Sequence, residues 1–348
     1  MMQPSPNISY EQLAHLFMDE GITLGKRLVI AAEAAKGQMY QPTPVTSVDQ
    51  AKMIFGSGPL IDRCDDATAF ANFDVYLMRM DRNAFQYLYR CLMPFPFDLI
   101  YIDGFTFNKM PDEIQDFIDF AKQKEYHGQL IHGFFDIEGL SGFEAYRSLF
   151  VSIAKLSIVT EDGIEETGKY ISVVVDQIKD RKAAAVYAGL VTALKIGASP
   201  INKALADVDL KAEFTNDQII ELRSAGMVCF RKSFKKGTIC TSATCAVATE
   251  GSVHKNISNF RIAQDVIQEI AQIQQEYVGR VGISFVKSEL EDQIEVALMY
   301  RMKLGQLRRY DYELTTDELN GIINTAIELV PIFTIQKMNA SALVRVRV

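Results

Sequence analysis

Short apolar runs of strand length recur through the first half of the chain, and helix-like segments separate several of them. The runs occupy residues 28–32, 75–80, 99–102, 129–135 and 171–175. Runs that are apolar on both faces are typical of strands that other elements cover on both sides. An alternation of such strands with helices is typical of an α/β fold. We therefore predict a mixed sheet flanked by helices.

Several segments carry the spacing and end signals of helices. Residues 9–20 open with a Ser-x-x-Gln capping pattern and place their apolar residues on one face. Residues 47–55 stop at a glycine, and the Ala- and Leu-rich residues 183–196 end before Gly197 and Pro200. The first of these segments predicts a short amphipathic helix that precedes the main body.

The last third has the clearest helical pattern. Residues 259–277 place apolar side chains at helical spacing and are followed by Gly279, which predicts a long helix with one buried face. The capping box formed by Ser288 and Glu291 predicts the start of a second helix that runs to about Leu304.

Beyond Gly321 the apolar period changes from the helical value to two, which predicts a half-buried strand. The chain ends in alternating Val and Arg. Such a strand suits pairing with an exposed sheet edge of a neighbouring subunit, or it could be an edge strand of the chain's own sheet with Arg guarding against aggregation. The predicted inter-subunit arm comprises Leu343, Val344, Arg345, Val346, Arg347 and Val348.

Composition limits the classes of partner. The chain has 348 residues, of which 48% are hydrophobic, and 36 basic against 44 acidic residues give a net charge of −8. An acidic surface repels phosphate backbones and anionic lipid, so we expect no nucleic-acid partner. No apolar stretch is long enough for a spanning helix, and no secretory signal is evident. We therefore expect that the chain is synthesised in a cytoplasm and does not insert into a membrane. We expect the scattered cysteines to be buried thiols: Cys64, Cys91, Cys229, Cys240 and Cys245.

The residue pattern predicts no catalytic, metal or cofactor site. His127 and His132 are five residues apart, which separates them on a strand or a helix and disfavours shared metal ligation. The glycines of residues 56–59 follow a helical segment, and Pro59 lacks one donor of a phosphate-binding loop. Asp103 stands at a strand end where α/β enzymes place functional acids, but a turn is the commoner reason for an Asp-Gly pair.

One basic cluster stands out in this acidic chain. A solvated face is its simplest interpretation, and an electrostatic contact with an acidic protein partner is the alternative. The cluster comprises Arg223, Arg231, Lys232, Lys235 and Lys236.

Several short motifs occur in an order that resembles the contractile tail sheath proteins. Each motif is degenerate alone, and the specificity lies in the order. Residues 183–210 resemble the family's run into this region, and residues 45–79 show a weaker similarity. The ordered motifs are residues 215–228, Gly237-Thr238-Ile239, residues 241–244, residues 254–261, Val278-Gly279-Arg280, Leu304-Gly305-Gln306-Leu307, Tyr310-Asp311-Tyr312, Gly321 and Pro331.

The resemblance implies a division of the chain. Residues 1–26 would form an N-terminal arm, residues 27–330 an α/β sheath body, and residues 331–348 a C-terminal strand arm, with both arms pairing with neighbouring subunits' sheets. Residues 183–330 are the most family-like part of the body and residues 105–170 the variable part. The family's arm is extended, whereas residues 9–20 here have a helical pattern.

The resemblance also implies a mechanical function. Such subunits stack as hexameric rings around a tail tube and contract to drive the tube through a target envelope, as in genome ejection. The implied partners are other copies, the tail tube, baseplate and tail terminator proteins, and no cofactor. The implied location is a virion or particle tail, assembled in the host cytoplasm. The alternatives are an α/β enzyme with a pocket near Asp103 and Asp176, or another structural tail or baseplate component.

Overall fold

The computed structural model describes most of the predicted body. Its described residues are 27–69, 75–82, 84–160, 163–205, 207–281, 283–317 and 321–332. The predicted helix at residues 9–20 and the predicted arm from Leu343 to Val348 lie outside these residues.

The described strands are short in the first two thirds of the chain and long only at the end. They are β1 (Leu28–Ala32), β2 (Thr43–Val45), β3 (Val75–Arg79), β4 (Leu99–Thr106), β5 (His132–Asp136), β6 (Ser157–Thr160), β7 (Gly163–Glu166), β8 (Ile171–Val174), β9 (Ala204–Leu205), β10 (Met227–Val228), β11 (Phe230–Ser233), β12 (Gly237–Cys240), β13 (Leu307–Asp317) and β14 (Ile322–Pro331).

Helices connect most of the strands. They are α1 (Val48–Phe55), α2 (Pro59–Thr68), α3 (Phe85–Leu92), α4 (Pro111–Tyr126), α5 (Phe143–Arg147), α6 (Phe150–Ala154), α7 (Ala183–Ala193), α8 (Asn216–Ser224), α9 (Ile257–Gln275) and α10 (Ile283–Lys303).

Seven strands form the central sheet in the order β10-β8-β5-β4-β1-β3-β2. Every pair is parallel except β2 with β3, so the sheet is mixed as predicted. All five predicted apolar runs supply strands to it, and every residue of β1 and β5 is buried. The prediction of an α/β fold with covered strands is therefore confirmed.

The two faces of the sheet are covered by different helices. Phe134 and Phe135 are neighbours on β5 and point to opposite faces. The ring of Phe134 lies 5.7 Å from Tyr187 on α7, and the ring of Phe135 lies 5.1 Å from Phe117 on α4. Helix α2 packs against α7 on the first of these faces. The main core thus has the layers helix, sheet and helix.

The Asp103-Gly104 pair does not end its strand. We expected a turn there, but β4 continues to Thr106, and its register with β5 shifts between Tyr101 and Thr106. Gly104 has a φ of 86°, which glycine adopts without the strain imposed by a Cβ atom. The pair therefore forms an irregularity inside the strand, because the left-handed residue re-aims the chain without ending its pairing.

The predicted start of the second long helix is wrong. Helix α10 begins at Ile283, before the expected capping residue, and Ser288 is an exposed residue inside the helix. Val286 and Leu290 are buried there, so tertiary packing continues the helix in front of the capping pattern. The first long helix and the strand after Gly321 are confirmed as α9 and β14.

A second, smaller core joins α9, α10 and the two-stranded ribbon of β13 and β14. On β14 the more buried residues alternate with exposed ones, which confirms the predicted period of two. The buried members of this core are Ile262, Val266, Ile270, Ile273, Leu290, Ile294, Ala297, Leu298, Leu307 and Leu314.

Helix α9 links this small core to the sheet through polar side chains. The amide of Gln264 donates to the carbonyl oxygens of Asp98 and Leu130, each at 2.8 Å. These carbonyls belong to the segments that enter β4 and β5. The guanidinium of Arg261 donates to the carbonyl of Val191 at 2.8 Å and thereby satisfies the last turn of α7.

We predict that Gly189→Ala lowers stability although alanine is the better helix former. A Cβ atom at Gly189 would lie 1.9 Å from the carbonyl oxygen of Ala67, because α7 and α2 meet backbone to backbone there. Helix propensity alone would raise the free energy of unfolding by about 1 kcal/mol, whereas overpacking costs about 1–3 kcal/mol. Urea unfolding should show a lower free energy of unfolding for the variant than for wild type. A higher value would contradict the close approach of the α7 and α2 backbones.

Candidate functional site

Buried carboxylates gather at the carboxyl edge of the sheet, where α/β enzymes commonly bind ligands. The hydroxyl of Tyr101 donates to Asp136 at 2.8 Å, and the backbone N–H of Ala184 donates to the same carboxylate at 3.0 Å. Burial raises the pKa of Asp136 to about 6, because desolvation penalises the charged form. Asp136 therefore anchors the start of α7 to the end of β5.

Asp103 lies in the same region and is neutralised by two arginines. It forms a salt bridge with Arg82 and a longer one with Arg63 at 3.8 Å. Arg63 also pairs with Asp66 at 3.2 Å, and Asp66 accepts the backbone N–H of Lys182 at 3.2 Å. The carboxylates thus tie α2, β4 and the start of α7 together.

Asp176, the other carboxylate of the enzyme alternative, is paired with Lys211 at 2.7 Å. A cavity of about 660 Å³ opens nearby, and its lining includes Asp66 but neither Asp103 nor Asp176. The two acids that mark the pocket of the enzyme alternative therefore have cationic partners and stand outside this cavity. Their arrangement is that of structural ion pairs.

His132 is buried among hydrogen-bond partners. Its Nδ1 lies 3.1 Å from the carbonyl oxygen of Lys169, and its Nε2 lies 2.9 Å from the hydroxyl of Ser172. His127 lies apart, at the end of α4. Within the described ranges, no group of three or more His, Cys, Asp or Glu side chains could hold a metal ion.

The cysteines are free thiols, and the expected burial is confirmed for four of the five. Cys64, Cys229, Cys240 and Cys245 are buried, and Cys91 is partly buried. Burial raises the pKa of the Cys64 thiol to about 11 and that of Cys240 to about 12, so neither is ionised at neutral pH.

Four members of the predicted basic cluster lie on the hairpin formed by β11 and β12. Lys232 pairs with Asp209 at 3.5 Å, and Arg231 donates to the side chain of Asn216 at 3.3 Å. Lys235 and Lys236 occupy the turn between the strands. Arg223 lies apart, in the last turn of α8.

Sequence reasoning missed an aromatic residue on this hairpin. Phe234 stands in the turn beside the lysines and is fully exposed, at 105% of its reference area. A large apolar side chain between a strand end and two lysines was a usable signal, because turn residues are usually small or polar. The basic cluster is therefore also an aromatic one.

The ribbon of β13 and β14 is a second exposed feature. Its two strands pair with each other from Asp317–Ile322 to Leu307–Pro331, and neither has another strand partner among the described residues. Each outer edge consequently presents backbone N–H and C=O groups that could pair with a further strand.

Comparison with known proteins shows which solved structures share this architecture. Neither a protein-family model nor a curated protein sequence matches the chain. Several solved structures match it over nearly their whole length. A chain of the PVC sheath complex in the contracted state, from an extracellular contractile injection system, has a TM-score of 0.71 at 14% identity, with 99% of this chain and 98% of that chain covered. The chain has the fold of contractile sheath proteins.

Two further matches agree on this sheath fold. A chain of the anti-feeding prophage baseplate has a TM-score of 0.71 at 12% identity, with 99% of this chain and 100% of that chain covered. The sheath tail protein of Desulfitobacterium hafniense has a TM-score of 0.64 at 11% identity, with 91% and 98% covered. In the described part of the chain, none of the helices combines the length and apolarity required to cross a bilayer.

We predict that Asp103→Ala lowers the free energy of unfolding by about 2 kcal/mol, because the buried network loses the charge-assisted hydrogen bond that this carboxylate accepts from Arg82. The matched control is Asp49→Ala, whose carboxylate is 92% exposed and pairs with Lys52 at 3.8 Å. The control should cost less than about 1 kcal/mol. Equal losses in the two variants would contradict the structural role of Asp103.

We predict that acid destabilises the protein through His132. Burial lowers its pKa to about 3, so the unfolded chain binds a proton below pH 6.5 that the folded chain does not. This stability is complete above pH 6.5 and is lost as the pH falls toward 3. Between pH 7 and pH 5 the loss is about 2 kcal/mol. Denaturant unfolding should show that the free energy of unfolding of wild type falls by this amount more than that of His132→Asn between pH 7 and pH 5. The same pH dependence in both proteins would contradict the prediction.

Proposed function

We propose that the chain is the subunit of a contractile sheath, which polymerises around a tail tube and contracts to drive the tube through a target cell envelope. The supporting observation is the full-length match to a chain of a contracted sheath complex, with 98–99% of both chains covered. In this proposal the subunits stack as hexameric rings, and the partners are other copies, the tail tube, the baseplate and the tail terminator. The assembled protein resides in a particle tail.

The proposed work is mechanical and requires no catalytic step or cofactor. Assembly on the tube and baseplate would trap an extended state, and relaxation to a shorter state with more buried contact would release the stored free energy. The carboxylates of the enzyme alternative support this proposal, because Asp103 and Asp176 already bind cationic side chains. They stabilise the body that would have to rotate intact.

Strand exchange would hold the subunits together during that rotation. We propose that the arm from Leu343 to Val348 adds a strand to a neighbour's sheet, and that residues 1–26 form a second arm. The open edges of the β13–β14 ribbon support this step, since they offer ten-residue rows of backbone hydrogen-bonding groups. Main-chain pairing of this kind is directional and keeps its register while the bodies turn.

A second candidate is a baseplate component with the same fold. The match to a chain of the anti-feeding prophage baseplate, with 99–100% of both chains covered, favours it. The two candidates differ in polymer length, because a sheath subunit repeats along a tube whereas a baseplate component closes in one short ring.

We predict that truncation after Ala342 abolishes assembly but not folding. Negative-stain electron microscopy of the purified full chain should show tubes or stacked rings, because the arm supplies the exchanged strand. The truncated chain should give dispersed particles with an unchanged circular dichroism spectrum, since the described members of both cores all precede Ala342.

Three outcomes separate the candidates. Single short rings from the full chain would favour the baseplate component. Tubes from the truncated chain would contradict strand exchange through this arm. A small soluble oligomer of the full chain across salt and concentration would contradict the sheath proposal.

A further inference from the structure

The turn between β11 and β12 has the composition of an interface anchor. Its residues 233–237, here called the hairpin tip, include the fully exposed Phe234 together with Lys235 and Lys236. Lys235 forms no salt bridge with any described residue, and Lys236 reaches only the carbonyl of Asn202, at 3.5 Å. Buried aromatic side chains dominate the binding energy at protein interfaces, whereas an exposed ring that packs against nothing adds nothing to the stability of the chain. The hairpin tip therefore fits a partner that is both apolar and acidic.

The cavity at the carboxyl edge of the sheet offers that combination. It holds about 660 Å³, a size typical of ligand pockets, and its lining includes Val48 and Ile61. Six aspartates line it against four lysines and arginines: Asp62, Asp65, Asp66, Asp180, Asp207 and Asp209.

Half of these aspartates lack a cation. Asp65, Asp66 and Asp209 form salt bridges within the chain. Asp62, Asp180 and Asp207 form none with any residue that the structure describes. Their carboxylates are thus available to the positive charges of a partner. They line the same cavity as the apolar residues.

The hairpin tip does not fill its own cavity. Lys232, which adjoins the hairpin tip, lies 3.5 Å from Asp209 at one rim of that cavity, and Phe234 nevertheless remains fully exposed. A chain that carries both a cavity and a projecting hairpin can form a repeating contact, in which the hairpin of each copy enters the cavity of the next. Contacts between two different patches of identical subunits generate rings or helices.

We propose that the hairpin tip of one copy docks in the aspartate-lined cavity of a second copy. Phe234 packs on the partly buried Val48 of the cavity wall, and the two lysines approach the unpaired aspartates. The contact rests on the proposed sheath function and adds a head-to-tail interface to it that does not involve the terminal arms. Because it combines opposite charges at an exposed site, added salt weakens it.

The direct test is photo-cross-linking. Phe234 is replaced by p-benzoylphenylalanine in the full chain, and equal amounts of ¹⁴N- and ¹⁵N-labelled protein are mixed, assembled and irradiated. Mass spectrometry should find mixed-isotope cross-links from position 234 to the segments around Asp62, Asp180 and Asp207. Cross-links only within one isotope, or only to other surfaces, would overturn the proposal.

Charge reversal tests the same contact without a probe. Lys235→Glu/Lys236→Glu and Asp62→Lys/Asp180→Asn/Asp207→Asn change the net charge by the same amount in opposite senses. Asn is chosen because Asp180 and Asp207 have left-handed φ values of 59° and 54°, which Asn tolerates. Each variant should raise the concentration needed for assembly about tenfold, and the combined variant should recover most of the loss.

The matched control is Arg90→Glu/Lys155→Glu, which reverses two exposed cations elsewhere on the body. It should assemble like wild type. Wild-type assembly by Lys235→Glu/Lys236→Glu would overturn this interface while leaving the sheath function intact. Absence of polymers from the wild-type chain would overturn the sheath function instead, and the isotope-mixed cross-link at high protein concentration would then decide the contact by itself.

Discussion

The structure depends on how helix α9 is fastened across the amino edge of the sheet. Gln264 satisfies two carbonyl groups that precede β4 and β5, and Gln268 reaches the Asp98 carboxylate that also accepts the backbone N–H of Arg27. Arg261 completes the last turn of α7. Buried polar groups are costly unless paired, so these side chains hold α9 in one position. The same helix supplies the apolar face of the small core.

The polar contacts of α9 matter for the proposed function, because they join the main core and the small core into one body. Arg301 adds a further buried contact, pairing with Asp265 and Glu269 between α10 and α9. Under the sheath proposal, contraction changes contacts between such bodies and leaves their interiors intact. Three exposed features of the described residues are the ribbon edges, the hairpin tip and the aspartate-lined cavity. All three are suited to protein partners.

The sequence predicted elements wherever local pattern determines structure. The strand of residues 28–32 and the helix around Val266 were readable because burial repeats with the period of the element. The extension of β4 past Gly104 and the start of α10 at Ile283 were not, since a bulge and a tertiary contact decide them. The arginine partners of Asp103 depend on residues distant in sequence, since Arg63 and Arg82 lie on other elements. Composition alone predicts neither pairing nor exposure.

The central claim is that copies of this body polymerise without internal rearrangement. Helical reconstruction by cryo-electron microscopy of particles assembled from the purified full chain tests it most directly. The account predicts a tube in which α9 still contacts Asp98 through Gln264 and both cores keep their described packing. A polymer in which α9 has left the sheet, or a density in which the copies make no repeating contact, would contradict it.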